Sequence, residues 1–199
     1  MDTLEFMVEE PSMAALLKQL LPNILPEMWR LDENCFIRVH EGKQDLQLSL
    51  PRKIRAARHK RGHSTFIVLQ DQDANDCRAL KKKLVDICEN ARDGAENIST
   101  LVRIVCHELE AWYLGDSEAL FAVFPSLRGQ NLYGRSRFRN PDSCINPKNE
   151  LKRRIGSYAQ IETARQIASH MSLERNQSQS FRCFVSGVLR MASVIGEKD

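Results

Sequence analysis

The stretch from Thr65 to Asp73, TFIVLQDQD, constrains the fold most. It is an unbroken run of β-branched, aromatic and aliphatic residues that follows Gly62 and ends in acids. Such a run suits a strand buried on both faces, the situation in parallel sheets covered by helices on each side. Three other segments read as strands: TLEFMVEE (3–10), CFIRVH (35–40) and STLVRIVCHE (99–108). Between them lie helical patterns: MAALLKQLLPNIL (13–25), a basic segment over 44–60 interrupted or started by Pro51, and CRALKKKLVDICENAR (77–92). Asp76 suits the N-cap of the last of these, Leu80, Leu84, Val85, Ile87 and Cys88 share its apolar stripe, and Asp93-Gly94 ends it. ELEAWYLGDSEALFAVF (108–124) reads as one further helix. Strands alternating with helices predict right-handed crossovers and an α/β fold, a Rossmann-like, mostly parallel sheet flanked by helices.

After Pro125 the pattern changes. Residues 126–147 contain Gly129, Asn131, Gly134, Asn140, Pro141 and Pro147 and predict a long loop. Three helices follow: PKNELKRRI, ETARQIASHM and SQSFRCFVSGVLRMASVI, the last with Ser178 and Ser180 equally suited as N-cap. The expected division is an α/β core over 1–125 and a basic loop with a helical C-terminal part over 126–199, packed on the core.

No stretch approaches eighteen consecutive apolar residues and the first nine residues are acidic, so neither a membrane span nor a signal peptide is expected and the cytoplasm is the expected location. The six cysteines include no CxxC pair, which predicts reduced and mostly buried thiols in place of a zinc ribbon or disulfide framework. The net charge of +3 is unevenly spread. Residues 52–63, RKIRAARHKRGH, hold six Lys/Arg and no acid. A second basic group comprises Arg128, Arg135, Arg137 and Arg139, with Tyr133 and Phe138 between them and Lys148 and Lys152 beyond. Arg and aromatic residues together can track a phosphate backbone and stack on bases, so these six cations are the expected nucleic-acid contacts. The competing reading is a surface that docks a partner protein.

Acids stand at the strand ends. Glu9 closes the first strand, and Asp71 closes the third with Asp73 two residues on. Ligands of open parallel sheets gather outside the carboxyl ends of the strands, where carboxylates from separate strands converge. Close carboxylates repel unless a cation neutralises them, and hard oxygen ligands select Mg²⁺ or Mn²⁺. His107, Glu108 and Glu110 follow the fourth strand, without the spacing of a zinc protease. Glu108, nearest the strand end, is the preferred fourth acid, with Glu110 the other. No GxSxG elbow or Walker-type phosphate loop is present.

VEEPS after the first strand and VLQDQD at the third resemble the Toprim pattern, in which a Glu and a later DxD bind Mg²⁺. More fully, VEEPSM, LQDQDANDC, VRIVCHELEAWYLGD, INPKNELKR and SQSFRCFVSGV resemble a family of small, mostly uncharacterised bacterial Toprim-like proteins, often encoded beside an ATPase in systems akin to those of overcoming-lysogenization-defect proteins. The resemblance implies a Toprim core, a nuclease or ATPase-partner role, and a setting in phage defence or genome maintenance. The chain departs from that pattern at Glu10 (usually Gly), Met13 (usually Glu) and Gln160 (usually Lys). The expected function is therefore a divalent-metal-dependent nuclease or related phosphoryl-transfer protein using Glu9, Asp71, Asp73 and Glu108 or Glu110. The alternative is a non-catalytic effector or regulatory subunit bound to an ATPase.

Overall fold

The computed structural model describes residues 1–130 and 139–196, with side chains through Ser193. Four strands, β1 (Thr3–Val8), β2 (Cys35–Val39), β3 (Ser64–Asp71) and β4 (Ile98–Val105), form one sheet in the order β2-β1-β3-β4. Every pairing is parallel. Helix α1 (Pro11–Ile24) connects β1 to β2, α2 (Lys43–Ala57) connects β2 to β3, and α3 (Cys77–Arg92) connects β3 to β4. The chain moves one way along the sheet from β1 to β2 and the other way thereafter. Right-handed crossovers then require α1 on one face and α2 with α3 on the opposite face.

The core divides accordingly. Leu4, Phe6, Val8, Ile67 and Leu69 pack with α1, while Met7, Phe66 and Val68 pack with Leu46, Leu50 and Ile54 of α2 and Leu80, Leu84 and Cys88 of α3. Every residue of β3 is buried, as its unbroken apolar run requires of the strand flanked by β1 and β4. The Asp76 carboxylate accepts the Ala79 N–H at 2.8 Å and caps α3, which ends at Asp93 in the left-handed conformation, φ 50°. Helix α2 runs continuously through Pro51, so that proline neither starts nor breaks it. It carries the basic run towards the N-terminal end of the sheet, away from the acids. There Arg58 pairs with Asp93 and Lys60 with Glu5.

The expected single helix over 108–124 is instead two short ones, α4 (Glu110–Leu114) and α5 (Ser117–Val123). The break has a tertiary cause. Gly115 lies so close to Asn176 that a Cβ there would sit 2.2 Å from the Asn176 Oδ1. Asp116, fully buried, then starts α5 by accepting the Ala119 N–H, and its carboxylate also takes the Ser172 N–H and the Arg175 guanidinium. Asp116→Ala strands these donors, and a loss of about 2–3 kcal/mol is expected in urea unfolding.

The segment expected as a long loop contains two 3-10 turns, Pro125–Leu127 and Pro141–Ser143. Helices α6 (Pro147–Ile155), α7 (Gln160–Ala168) and α8 (Gln179–Gly196) follow. Helix α7 lies along α1, and α8 lies on β4, so the C-terminal part shares the core of the α1 face. Ser178 is the N-cap of α8, accepting the Phe181 N–H, whereas Ser180 accepts the Trp112 indole N–H at 2.8 Å in the core. The six cysteines are free thiols; Cys35, Cys88 and Cys144 are buried, Cys77 and Cys106 half-buried and Cys183 exposed. Among the described residues no helix is long and apolar enough to cross a membrane.

Candidate metal centre

The reversal of chain direction falls between β1 and β3, and the crevice at such a switch point opens at the carboxyl ends of those strands. Glu9 and Asp71 stand there. The Asp71 N–H donates to the Glu9 Oε2 at 3.2 Å, which holds the Glu9 carboxylate against the Asp71 residue itself. Asp71 is 5% exposed, and its Oδ1 is buried without a hydrogen-bond partner. A buried carboxylate oxygen in that condition is costly, and a cation relieves it directly.

The electrostatics agree. Burial holds the Asp71 carboxyl well above the usual carboxylate range, and the charges of Glu10, Glu9, Glu110 and Asp73 raise it further. Glu9 is pushed up to about 7, first by burial and then by Asp73, against the opposing hydrogen bond from Asp71. Five carboxylates from three strand ends thus share one field.

Two backbone kinks shape this edge. Asp73 (φ 51°) and His107 (φ 58°) both adopt the left-handed conformation, unusual outside glycine. The Asp73 N–H donates to the His107 carbonyl at 2.8 Å, and the His107 N–H to the Gln72 side chain. The kink at Asp73 carries its carboxylate to Lys43, whose Nζ donates to it at 3.0 Å. Asp73 therefore faces the cluster electrostatically but is paired with a cation from the start of α2.

Beyond β4, Glu108 and Glu110 serve different ends. The Glu108 Oε2 accepts the Lys148 backbone N–H at the start of α6. Glu110 is buried, its charge acts on Asp71, and it accepts the Tyr158 O–H at 2.5 Å. Burial raises the Glu110 carboxyl, opposed by the Tyr158 hydrogen bond. Burial and Glu110 together push the Tyr158 phenol well above its ordinary value. Tyr158 and Glu10 also line a cleft of about 490 Å³ together with Ser12 and Gln160. Tyr158 and Lys43 were not among the expected site residues, whereas Glu10, next to Glu9, is the acid that could substitute for the one missing from the Toprim pattern. Lys43 and Tyr158 join the cluster through contacts between distant segments, and sequence spacing carries no sign of them.

The expected nucleic-acid contacts are dispersed. Lys148 and Lys152 lie one turn apart on α6, and the Lys148 charge reaches Glu110. Arg128 lies in a separate cleft with His170 and Arg175. Arg139 is exposed, and Arg135 and Arg137, with Tyr133 and Phe138, fall outside the described residues. Among the described residues no three His, Cys, Asp or Glu side chains already stand at metal-ligand spacing. The pair best placed to hold an ion is Glu9 with Asp71, with Glu110, Glu10 and Asp73 around them.

A family model described as a domain of unknown function (DUF4276) matches residues 8–189. The chain belongs to this family. No curated protein and no solved structure matches it. The DUF4276 match begins one residue before Glu9 and extends past Tyr158, so every acid of the cluster lies inside it.

Proposed function

We propose that the cluster is a Mg²⁺ or Mn²⁺ site of a Toprim-like phosphoryl-transfer protein, a nuclease acting on nucleic acid in company with a partner ATPase. The observation that carries this reading is the Asp71 carboxylate, buried at the β1–β3 switch point with one oxygen unpartnered and the Glu9 carboxylate against its backbone. Both residues offer hard oxygen donors, the set that suits these ions. A bound ion of this kind polarises a phosphoryl oxygen and stabilises in-line displacement at phosphorus. Glu9 and Asp71 hold it. Glu110, oriented by Tyr158, positions water or completes the ligand shell. Lys43 pairs with Asp73 beside the site, and Lys148 and Lys152 supply positive charge for a phosphate strand.

The non-catalytic reading keeps one specific support. Met13 stands where the Toprim pattern has a second Glu, and it is fully buried in the apolar core. The scaffold would then bind an ATPase without cutting. The two readings separate in one assay: labelled DNA and RNA with Mg²⁺ or Mn²⁺, incubated with the protein alone and with an ATPase encoded beside it. Metal-dependent cleavage abolished by Asp71→Ala and by Glu9→Ala is the expected result. Cleavage that survives both substitutions contradicts the metal assignment, and none in any combination favours the effector role.

A further inference from the structure

On the other face of the sheet, a cleft of about 370 Å³ opens between the start of α2 and the first turns of α3. Gln70 of β3 lines it, with Lys43, Gln47, Asp76 and Lys83. Gln70 is fully buried, and its Nε2 has no hydrogen-bond partner.

The orientation of that amide is fixed by charge. The Lys83 Nζ donates to the Gln47 Oε1 at 2.7 Å, and an ammonium accepts nothing in return. Gln47 must therefore turn its Nε2 to Gln70, where it donates to the Gln70 Oε1 at 3.0 Å. The Gln70 oxygen is used, so the end left over is a donor, whichever way an isolated amide might have been placed.

The lining also carries two ammonium groups, Lys43 and Lys83, and one carboxylate, Asp76. Lys83 meets the Gln47 amide oxygen and, among the described residues, no carboxylate, and Asp76 is turned to the Ala79 N–H as a cap. The sixteen-residue α3 starts beside the cleft, with no acid in its first turn beyond the Asp76 cap, which takes only the Ala79 N–H. A donor-only amide, an ammonium and a helix N-terminus together select an anion rich in oxygen acceptors. We propose that this cleft binds a phosphate group through Gln70, Lys83 and the start of α3. Lys43 joins it to the acid cluster through Asp73, so the phosphate occupies a place next to the reacting one. The choice of phosphate over another oxyanion rests on the phosphoryl-transfer reading above.

The test uses the full chain in metal-free buffer, which removes the metal centre from the outcome. Proton–nitrogen correlation spectra resolving the Gln47 and Gln70 side-chain amides are titrated with inorganic phosphate, a nucleoside monophosphate and a short oligothymidylate. Saturable shifts at both amides are expected, with chloride producing none. Lys83→Gln weakens the binding at least about tenfold. Gln70→Leu weakens it too, with the backbone spectrum unchanged. Tightest binding of the oligonucleotide assigns a strand phosphate, and tightest binding of the mononucleotide assigns a free nucleotide. No saturable shift with any of the three, or equal affinity in both variants, overturns the proposal. Intact phosphate binding in a protein that shows no metal-dependent cleavage supports the cleft and counts only against the metal centre.

Discussion

Asp71→Asn is expected to raise the melting temperature of the metal-free protein and to cut metal-dependent turnover by at least about 100-fold. The two effects have one origin. Asp71 is buried with an unpartnered oxygen amid the charges of Glu10, Glu9, Glu110 and Asp73, so ionising it opposes folding. Asn has nearly the same shape, carries no charge, and brings an N–H₂ group that can donate to a neighbouring carboxylate. A gain of about 1–2 kcal/mol is expected at pH 8 in the presence of a chelator, the usual size for relieving a functional strain. Added Mn²⁺ should stabilise the wild type and leave the variant where it was. Loss of several kcal/mol of charge stabilisation in the transition state accounts for the turnover deficit. A variant that melts lower than wild type without metal would show that Asp71 is a structural acid.

The second large effect is on pH. Glu9 is raised to about 7, and Asp71 is raised as well, so the folded protein holds protons that the unfolded chain has already released. Where the folded state binds more protons, stability falls as pH rises. For the metal-free protein that fall begins at the ordinary carboxylate range and runs through about 7, the reverse of the usual behaviour of salt-bridged acids. Metal binding displaces the same protons. Mn²⁺ affinity should therefore climb with pH by up to about tenfold per unit for each proton released, and the Glu9 contribution should level off above about 7. Glu9→Gln should flatten the climb and weaken the binding. Calorimetry in two buffers of different ionisation enthalpy reads the released protons directly, and affinity independent of pH would contradict the assignment.

Much of this arrangement is legible in sequence because it depends on local pattern. The run TFIVLQD gives β3, Asp76 gives the cap of α3, and the alternation of elements gives a parallel sheet whose ends carry Glu9 and Asp71. What escapes sequence reading is set by distant packing. Gly115 breaks a helical pattern because Asn176 lies against it. Glu110 rather than Glu108 acts on Asp71 through its charge, while Glu108 takes the Lys148 N–H at the start of α6. Lys43 reaches Asp73 and Tyr158 reaches Glu110 across thirty and forty-eight residues of sequence. The basic run over 52–63 is plain in composition, but that α2 carries it to the end of the sheet opposite the acids follows only from the topology.

A crystal grown with Mn²⁺ and measured for anomalous scattering tests the central claim most directly. The account predicts a peak between the Glu9 and Asp71 carboxylates, about 2.1–2.2 Å from an oxygen of each, including the Asp71 Oδ1 that now has no partner. A strand end with no peak, its carboxylates bonded only to protein and water at saturating Mn²⁺, would contradict it.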